Sequence, residues 1–241
     1  MAYLLYIDSV FDTANIYLAN NEQIIFADKS LEQKNHASFI QAAIQKNFQK
    51  TQINLQSING IVVVNGPGSY TGVRVGLATA KGLCYALNIP LVLLNTLDIM
   101  AFEMKSNLSK FIPLANSTLP ILFCPMIDAR RMEVFTALYN HNLNYIIKPC
   151  ASVLNEFSFE NELKENTIFF SGNGSNKLKE VLKNPNAIFT DLLFQASTLI
   201  QLGLNQFNKN NFSDLAYSQP FYTKEFYTTA SAISKIKGLD K

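Results

Sequence analysis

The sequence contains few of the residues that build metal sites, disulfide frameworks and phosphate clamps. Its 241 residues include no tryptophan, two histidines and three cysteines. The cysteines are odd in number and widely spaced, which excludes a disulfide framework and a CxxC metal motif and indicates free thiols in a reducing compartment. Arginine occurs only as Arg74, Arg130 and Arg131, so a cluster of guanidinium groups that grips phosphates is not expected.

Charge is also scarce. Charged residues make up 16% of the chain, hydrophobic residues 48%, and the formal net charge is +2. These values are typical of a globular protein and exclude wholesale disorder or a protein that coats nucleic acid. The first apolar run ends at Asp8 and is too short for a leader peptide or a membrane span. We therefore expect a cytoplasmic protein with no membrane partner.

The pattern of strands repeats once along the chain. Residues 4–8 form an apolar run that ends in an aspartate, and residues 124–128 form another. Each run is followed by a turn, a strand and an Asn-containing hairpin turn. The repeat predicts a duplicated α/β fold with two lobes, 1–105 and 106–217, divided in a turn-rich stretch. The tail, 218–241, is a candidate addition to the first lobe.

Two amphipathic helices are predicted in the first lobe, over about 36–48 and 71–87. The second carries small residues at every fourth position: Gly72, Gly76, Ala80 and Cys84. A stripe of small residues lets another element approach closely, either inside the lobe or across an interface.

A glycine-rich turn joins a predicted strand, 60–64, to the second of these helices. Gly66 and Gly68 permit backbone angles that side chains forbid, and Ser69 or Thr71 can cap the helix. Free amides at a helix N-terminus attract anions. Two interpretations stay open: a loop that binds phosphate or carboxylate, or a tight capped turn. The turn is not a P-loop, because the GKS or GKT ending is missing.

The same segment resembles a known family. Residues 66–83, GPGSYTGVRVGLATAKGL, are similar to the signature of TsaB (YeaZ), a family of bacterial tRNA-modification proteins. Further matching segments are YIDSVFDTANIYL at 6–18, NHAS at 35–38, PMIDARRMEV at 125–134 and QPFYTK at 219–224. Because these segments span nearly the whole chain, the chain is identified as a member of that family.

The resemblance implies a fold of the actin/Hsp70/sugar-kinase type, with two α/β lobes facing a cleft. It implies a non-catalytic scaffold that acts with a catalytic subunit of the TsaD type and an ATPase of the TsaE type. Together they transfer a threonylcarbamoyl group to N6 of the adenosine next to the tRNA anticodon. The chain is expected to reach tRNA through the complex, to form a homodimer when alone, and to need no cofactor or metal.

The resemblance also suggests site residues. Docking by helices of the N-terminal lobe makes these residues the candidate partner interface: His36, Phe39, Ala43, Val73, Gly76, Leu77, Ala80, Lys81 and Cys84. The candidate anion or nucleotide loop comprises Gly66, Gly68, Ser69, Thr71, Asp8 and Asp128.

A catalytic role has weaker support in the sequence. TsaD proteins bind a metal through HxxxH, whereas His36 is followed four positions later by Ile40, and one histidine cannot replace a two-histidine clamp. Asp8 and Asp128 sit where kinases of this fold hold Mg²⁺, but bulky residues replace the glycines expected after each. The alternative is an ATP-dependent phosphotransferase or a metallopeptidase of the same fold.

The C-terminal lysines leave one further alternative open. Lys224, Lys235, Lys237 and Lys241 could contact tRNA directly, although such a tail is more often a solvated chain end.

Overall fold

The computed structural model describes residues 2–30, 35–111 and 119–223. The first of two sheets has five strands: β1 (Tyr3–Asp8), β2 (Asn15–Asn20), β3 (Gln23–Lys29), β4 (Gly60–Val64) and β5 (Leu91–Leu94). They lie in the order β3-β2-β1-β4-β5. β2 is antiparallel to both of its neighbours, whereas β1, β4 and β5 are parallel.

The second sheet repeats this arrangement. Its strands are β6 (Ile121–Asp128), β7 (Glu133–Tyr139), β8 (Tyr145–Val153), β9 (Thr167–Ser171) and β10 (Ala187–Thr190). Read from the antiparallel edge, their order is β8-β7-β6-β9-β10, with the same strand directions as in the first sheet. The predicted duplication is confirmed, because every strand of one sheet has a counterpart in the other.

Helices connect and cover the strands. They are α1 (His36–Thr51), α2 (Tyr70–Leu87), α3 (Thr96–Ser106), α4 (Leu108–Phe111), α5 (Glu160–Glu165), α6 (Ser175–Val181) and α7 (Ala196–Asn208), with a 3-10 helix at Leu55–Ser57. At the start of α2 the Ser69 side chain accepts a hydrogen bond from the Gly72 amide. Asn88 ends the helix in the left-handed conformation that asparagine tolerates. No helix in the described ranges is long and apolar enough to cross a membrane.

Both faces of the first sheet are covered, which explains why β1 and β4 are continuous apolar runs. Leu5 and Ile7 point to the face on which α1 and α2 pack. Leu4 and Tyr6 point to the opposite face, where they meet Leu199, Ile200 and Leu204 of α7.

Two helices pack on the sheet of the other half of the chain. α3 follows β5 of the first sheet, but its Leu97, Met100 and Met104 join Phe123 and Phe169 of the second sheet in one core cluster. α7 follows β10 of the second sheet and packs on the first. The lobe limits predicted at residues 105 and 217 follow sequence order and stay a prediction, whereas the packing of α3 and α7 crosses them.

Residues 213–223, here called the C-terminal strap, run along the first lobe. The Ser213 amide donates to the Leu91 carbonyl over 2.8 Å and the Phe221 amide to the Asn65 carbonyl over 2.7 Å. Lys81 Nζ donates to the carbonyls of Ala216 and Ser218, at 3.1 and 3.0 Å. The first residues of the predicted tail therefore lie against the first lobe, and residues 224–241 lie outside the described part.

Candidate functional site

The glycine-rich turn before α2 packs against the turn that follows β1. The Ser69 amide donates to the Val10 carbonyl over 2.7 Å. A methyl group in place of the Gly68 hydrogen would lie 2.4 Å from that same carbonyl oxygen, a distance that no side chain tolerates. Gly66 has φ of +102°, a conformation that glycine adopts at little cost.

The small stripe of α2 continues this contact. A methyl group on Gly72 would lie 2.0 Å from the Ser9 carbonyl oxygen, and one on Gly76 would lie 2.3 Å from Ser9 Oγ. Ser9 Oγ in turn donates to the Gly72 carbonyl over 2.8 Å. The helix therefore needs these glycines in order to lie against β1 and the turn that follows it.

A cleft of about 900 Å³ lies between the two lobes. Four of the six residues proposed for an anion or nucleotide loop line it: Gly68, Ser69, Thr71 and Asp128. Gly66 and Asp8 are absent from its lining. The Gly66 carbonyl instead accepts a hydrogen bond from the Thr96 amide, which ties the turn to the start of α3.

Asp8 is buried, with 2% of its surface exposed. Its two oxygens accept hydrogen bonds from the Val10 amide at 3.3 Å and from Asn15 Nδ2 at 3.0 Å. Burial raises the pKa of this carboxyl group to about 6, against the lowering effect of the two hydrogen bonds.

Asp128, the counterpart of Asp8 in the second sheet, is exposed and ion-paired. Its Oδ1 lies 2.6 Å from Lys177 Nζ and accepts a hydrogen bond from the Arg130 amide. Partial burial acts to raise the pKa of Asp128, but the hydrogen bonds from Lys177 and Arg130 outweigh it and lower that pKa. With one carboxylate buried and the other held by a lysine, these residues do not fit a Mg²⁺ ion shared between them.

The start of α1 does not fit a two-histidine metal site either. His36 is buried, and no described residue forms a hydrogen bond with its Nδ1. Ile40, one turn later, belongs to the hydrophobic core of the first lobe. Among the described residues, no group of three or more His, Cys, Asp or Glu side chains is placed to hold a metal ion.

The prediction that the small-residue face of α2 docks a partner is wrong, because the face is buried inside the lobe. Ala80 has no exposed surface, and it is buried together with Val73, Gly76, Leu77 and Cys84. These residues face the first sheet and the turn after β1, because the small stripe serves close packing inside the lobe.

The interface positions predicted on α1 are only partly accessible. His36 and Ala43 are buried, whereas Phe39 is partly exposed. Lys81 of α2 is also partly exposed, but its Nζ contacts the C-terminal strap.

The outer surfaces of α1 and α2 enclose a mainly apolar groove of about 690 Å³. It is lined by Gln41, Ile44, Gln45, Phe48, Gln49, Leu55, Ala78, Thr79, Gly82 and Leu83. A methyl group on Gly82 would meet no atom within 4 Å. This groove was not predicted from the sequence, although the glutamines at every fourth position of α1 mark its rim.

The chain is similar to known proteins of tRNA modification. The family model described as "TsaD: tRNA N6-adenosine threonylcarbamoyltransferase" matches residues 24–237. The chain is 28% identical over 184 residues to the tRNA threonylcarbamoyladenosine biosynthesis protein TsaB of Bacillus subtilis, covering 75% of each chain. It is 30% identical over 143 residues to the protein of the same name from Escherichia coli K12, covering 59% of this chain and 57% of that one.

The solved structure of YeaZ from Pseudomonas aeruginosa superposes with a TM-score of 0.72 at 19% identity, over 92% of this chain and 100% of the other. This likeness and the two sheets of one strand order confirm the expected two-lobed fold of the actin/Hsp70/sugar-kinase type. Since the family match covers most of the sequence, the chain belongs to the TsaD family of tRNA N6-adenosine threonylcarbamoyltransferase proteins and, within it, to the TsaB (YeaZ) group.

Proposed function

We propose that this chain is a non-catalytic subunit of the system that forms threonylcarbamoyladenosine in tRNA. It docks a catalytic subunit of the TsaD type, acts together with an ATPase of the TsaE type, and reaches tRNA through that complex. The observation that carries the proposal is the groove between α1 and α2, which leaves an apolar surface of the first lobe open to solvent.

The groove has the properties of a docking site for a helix. Ile44, Phe48 and Leu83 supply apolar contacts, and the glutamines of α1 supply a polar rim. One wall of the groove is formed by the small residues Ala78 and Gly82, so a partner helix can approach it closely. Open apolar surfaces of this kind mark interaction sites on soluble proteins.

The same groove accounts for a homodimer of the isolated chain. A two-fold interface brings the same surface of two copies together, and α1 and α2 of each copy would fill the groove of the other. The homodimer and the complex with the TsaD-type subunit then use one surface and exclude each other.

The non-catalytic assignment is supported by the side chains at the positions where relatives of this fold act. The position of a second metal-binding histidine holds Ile40, and Asp8 and Asp128 are engaged in local contacts. An unpaired, solvent-facing carboxylate pair, which the phosphotransferase alternative requires, is not formed by these two residues.

The docking proposal predicts the effect of Gly82→Arg. A long charged side chain in the groove should weaken binding to the cognate TsaD-type protein on the order of a hundredfold, because its charge would be buried against apolar surface. The monomer should stay folded, since the space beside Gly82 is open. Light scattering of the mixture should show loss of the heterodimer.

Ala42→Arg provides the matched control, because Ala42 is exposed on α1 and does not line the groove. It should leave the heterodimer intact. In a reaction reconstituted from the synthase, the TsaD-type and TsaE-type proteins and tRNA, omitting this chain should stop modification. Full modification without it would refute the subunit proposal, and an intact heterodimer in Gly82→Arg would refute the groove.

A further inference from the structure

The flank of α2 that faces the C-terminal strap carries a stripe of aromatic and cationic side chains. Tyr70, Arg74, Lys81 and Tyr85 are spaced by four, seven and four positions and fall on one side of the helix. At 1.5 Å per residue the stripe is about 22 Å long. At 100° per residue, the stripe lies roughly 120° around the helix axis from the groove and also from the buried small stripe. α2 therefore presents three chemically distinct faces.

The strap extends the stripe with a second row. Its residues 216 and 218 are held by Lys81 Nζ, which places Tyr217 beside that lysine. At the other end, Tyr222 lies beside Arg74, and the rings of Tyr70 and Tyr222 have centroids 5.9 Å apart.

Arg74 is held on aromatic faces. Its guanidinium carbon lies 4.0 Å from the centroid of the Tyr70 ring and 5.8 Å from that of Tyr222. Arg74 Nε also donates to the Tyr222 hydroxyl over 2.7 Å. These contacts hold the exposed guanidinium group against two tyrosine rings.

The tyrosines at the other end of the stripe are almost wholly exposed. Tyr85 and Tyr217 have 82% and 81% of their surface accessible, the largest values among the exposed large hydrophobic side chains. Burial therefore gives these two rings no packing role, and their faces are open for stacking.

The charge of this surface is mainly positive. Neither α1 nor α2 contains an aspartate or glutamate. The single carboxylate of the strap, on Asp214, accepts hydrogen bonds from the Ala216 and Tyr217 amides. In the sequence, Lys224 and Glu225 follow the strap directly, and both lie outside the described residues.

We infer that this stripe binds an RNA segment with unstacked bases, such as a tRNA loop. Cations that follow phosphates, interleaved with aromatic rings that stack on bases, are the means by which proteins bind single-stranded nucleic acid. The four side chains of the stripe are aromatic or cationic, whereas those of the neighbouring groove are mainly apolar, so the chemistry of the stripe favours RNA over a protein helix. The inference rests on the proposed role in tRNA modification and deepens it: this subunit contacts the RNA directly.

The test uses the full chain alone and a fluorescein-labelled anticodon stem-loop RNA, with anisotropy as the readout and a fully paired RNA duplex as comparison. The stem-loop should bind at least tenfold more tightly than the duplex. The double variant Tyr85→Ala, Tyr217→Ala should lose at least tenfold in affinity, within the range of base stacking on aromatic side chains. The variant Tyr85→Phe, Tyr217→Phe should bind as the unchanged chain does.

Charge variants provide an independent arm. Arg74→Gln and Lys81→Gln should each reduce the slope of log affinity against log salt by about one, since each removes one phosphate contact. The matched control is Lys50→Gln, which removes a cation from α1 outside the stripe and should leave the slope unchanged.

Equal binding of stem-loop and duplex, or unchanged affinity in the double alanine variant, would overturn the inference. It would also be overturned if that variant lost the TsaD-type partner while keeping the RNA, because the stripe would then be a protein interface. The RNA measurement needs no partner, so a failure of the groove proposal in Gly82→Arg would be seen separately.

Discussion

The carboxylate of Asp8 is buried and poorly solvated. Two hydrogen bonds, from the Val10 amide and Asn15, only partly replace the lost water. Burial raises the pKa of Asp8 to about 6 in the folded chain, from the ordinary value of 3.8. The folded state therefore binds this proton more tightly than the unfolded state does. The resulting stabilisation is complete below about pH 4 and is lost as the pH rises through about 6.

Asp8→Asn should therefore stabilise the protein at neutral pH. The amide carries no charge to desolvate, and Asn15 can turn its own amide to keep a hydrogen bond. We expect the free energy of unfolding to rise by about 1–3 kcal/mol near pH 7.5 and by much less near pH 4. Urea unfolding at both pH values measures the difference.

Asp128→Asn is the natural comparison, because the fold duplication places Asp128 at the equivalent turn. Its side chain is exposed and pairs with Lys177, and its pKa is lowered. The Asp128→Asn variant should therefore show no rise in the free energy of unfolding near pH 7.5. A gain from Asp8→Asn that is the same at both pH values would show that charge burial is not its cause.

At the scale of the element, α2 separates three tasks on three faces. The small residues Gly72, Gly76 and Ala80 face the sheet and the turn after β1. Gly82 opens toward the groove, and Arg74 lies on the aromatic stripe. The motif that identifies the family in the sequence is therefore first a packing motif, because its glycines remove side chains that the neighbouring backbone would contact.

Two glycine-to-alanine substitutions in α2 test whether these glycines are needed for packing. Alanine normally stabilises a helix over glycine by about 1 kcal/mol, and Gly82→Ala should show that gain because its surroundings are open. Gly72→Ala should instead lower the free energy of unfolding by about 2–3 kcal/mol, since its methyl group would press on the Ser9 backbone. Thermal and urea unfolding of the two variants provide the measurement.

The two substitutions are identical in chemistry and lie in one helix, so propensity cancels between them. A Gly72→Ala variant as stable as the unchanged chain would mean that the turn after β1 can yield. The glycine would then need another explanation, such as access of an anion to the cleft.

At the scale of the whole molecule, the strand–Asp–turn repeat was sufficient to predict two lobes. Residues 60–64 were predicted as a strand with the bounds that the structure has, because a β-branched run ends there at clear turn residues. The short helices α4 and α5 were not predicted, since four to six residues are too few for a helical period to appear.

What the sequence could not specify was which surfaces meet. Periodicity shows that α3 and α7 each have an apolar side, but it does not say that each packs on the sheet of the other half. The same ambiguity affected α2: a small stripe fits an internal contact as well as an interface, and the internal contact is the one observed. The groove needs tertiary structure because it combines residues of α1 and α2, and so does the row of strap residues that lies beside the aromatic stripe.

The crossing of α3 and α7 is held by one buried carboxylate. Glu103 of α3 accepts hydrogen bonds from Asn107 Nδ2 at 2.7 Å and from the Gln195 amide at 3.2 Å, and also from Thr198 Oγ1. The α7 N-cap residue, Gln195, makes no side-chain cap. Glu103 thus supplies the negative charge and the acceptor that the first turn of α7 needs.

Glu103→Ala should lower the free energy of unfolding by about 3 kcal/mol, because it leaves the buried Thr198 hydroxyl and the partly buried Gln195 amide without an acceptor. Amides of the first turns of α7 should exchange with deuterium faster, since that end loses its cap. Thr198→Val, which removes one donor and leaves the carboxylate in place, should cost only about 1 kcal/mol. If Glu103→Ala cost no more than Thr198→Val, the carboxylate would not be what joins the two helices. The packing of α7 on the first sheet, through Leu199, Ile200 and Leu204, would then be sufficient to hold the halves of the chain together.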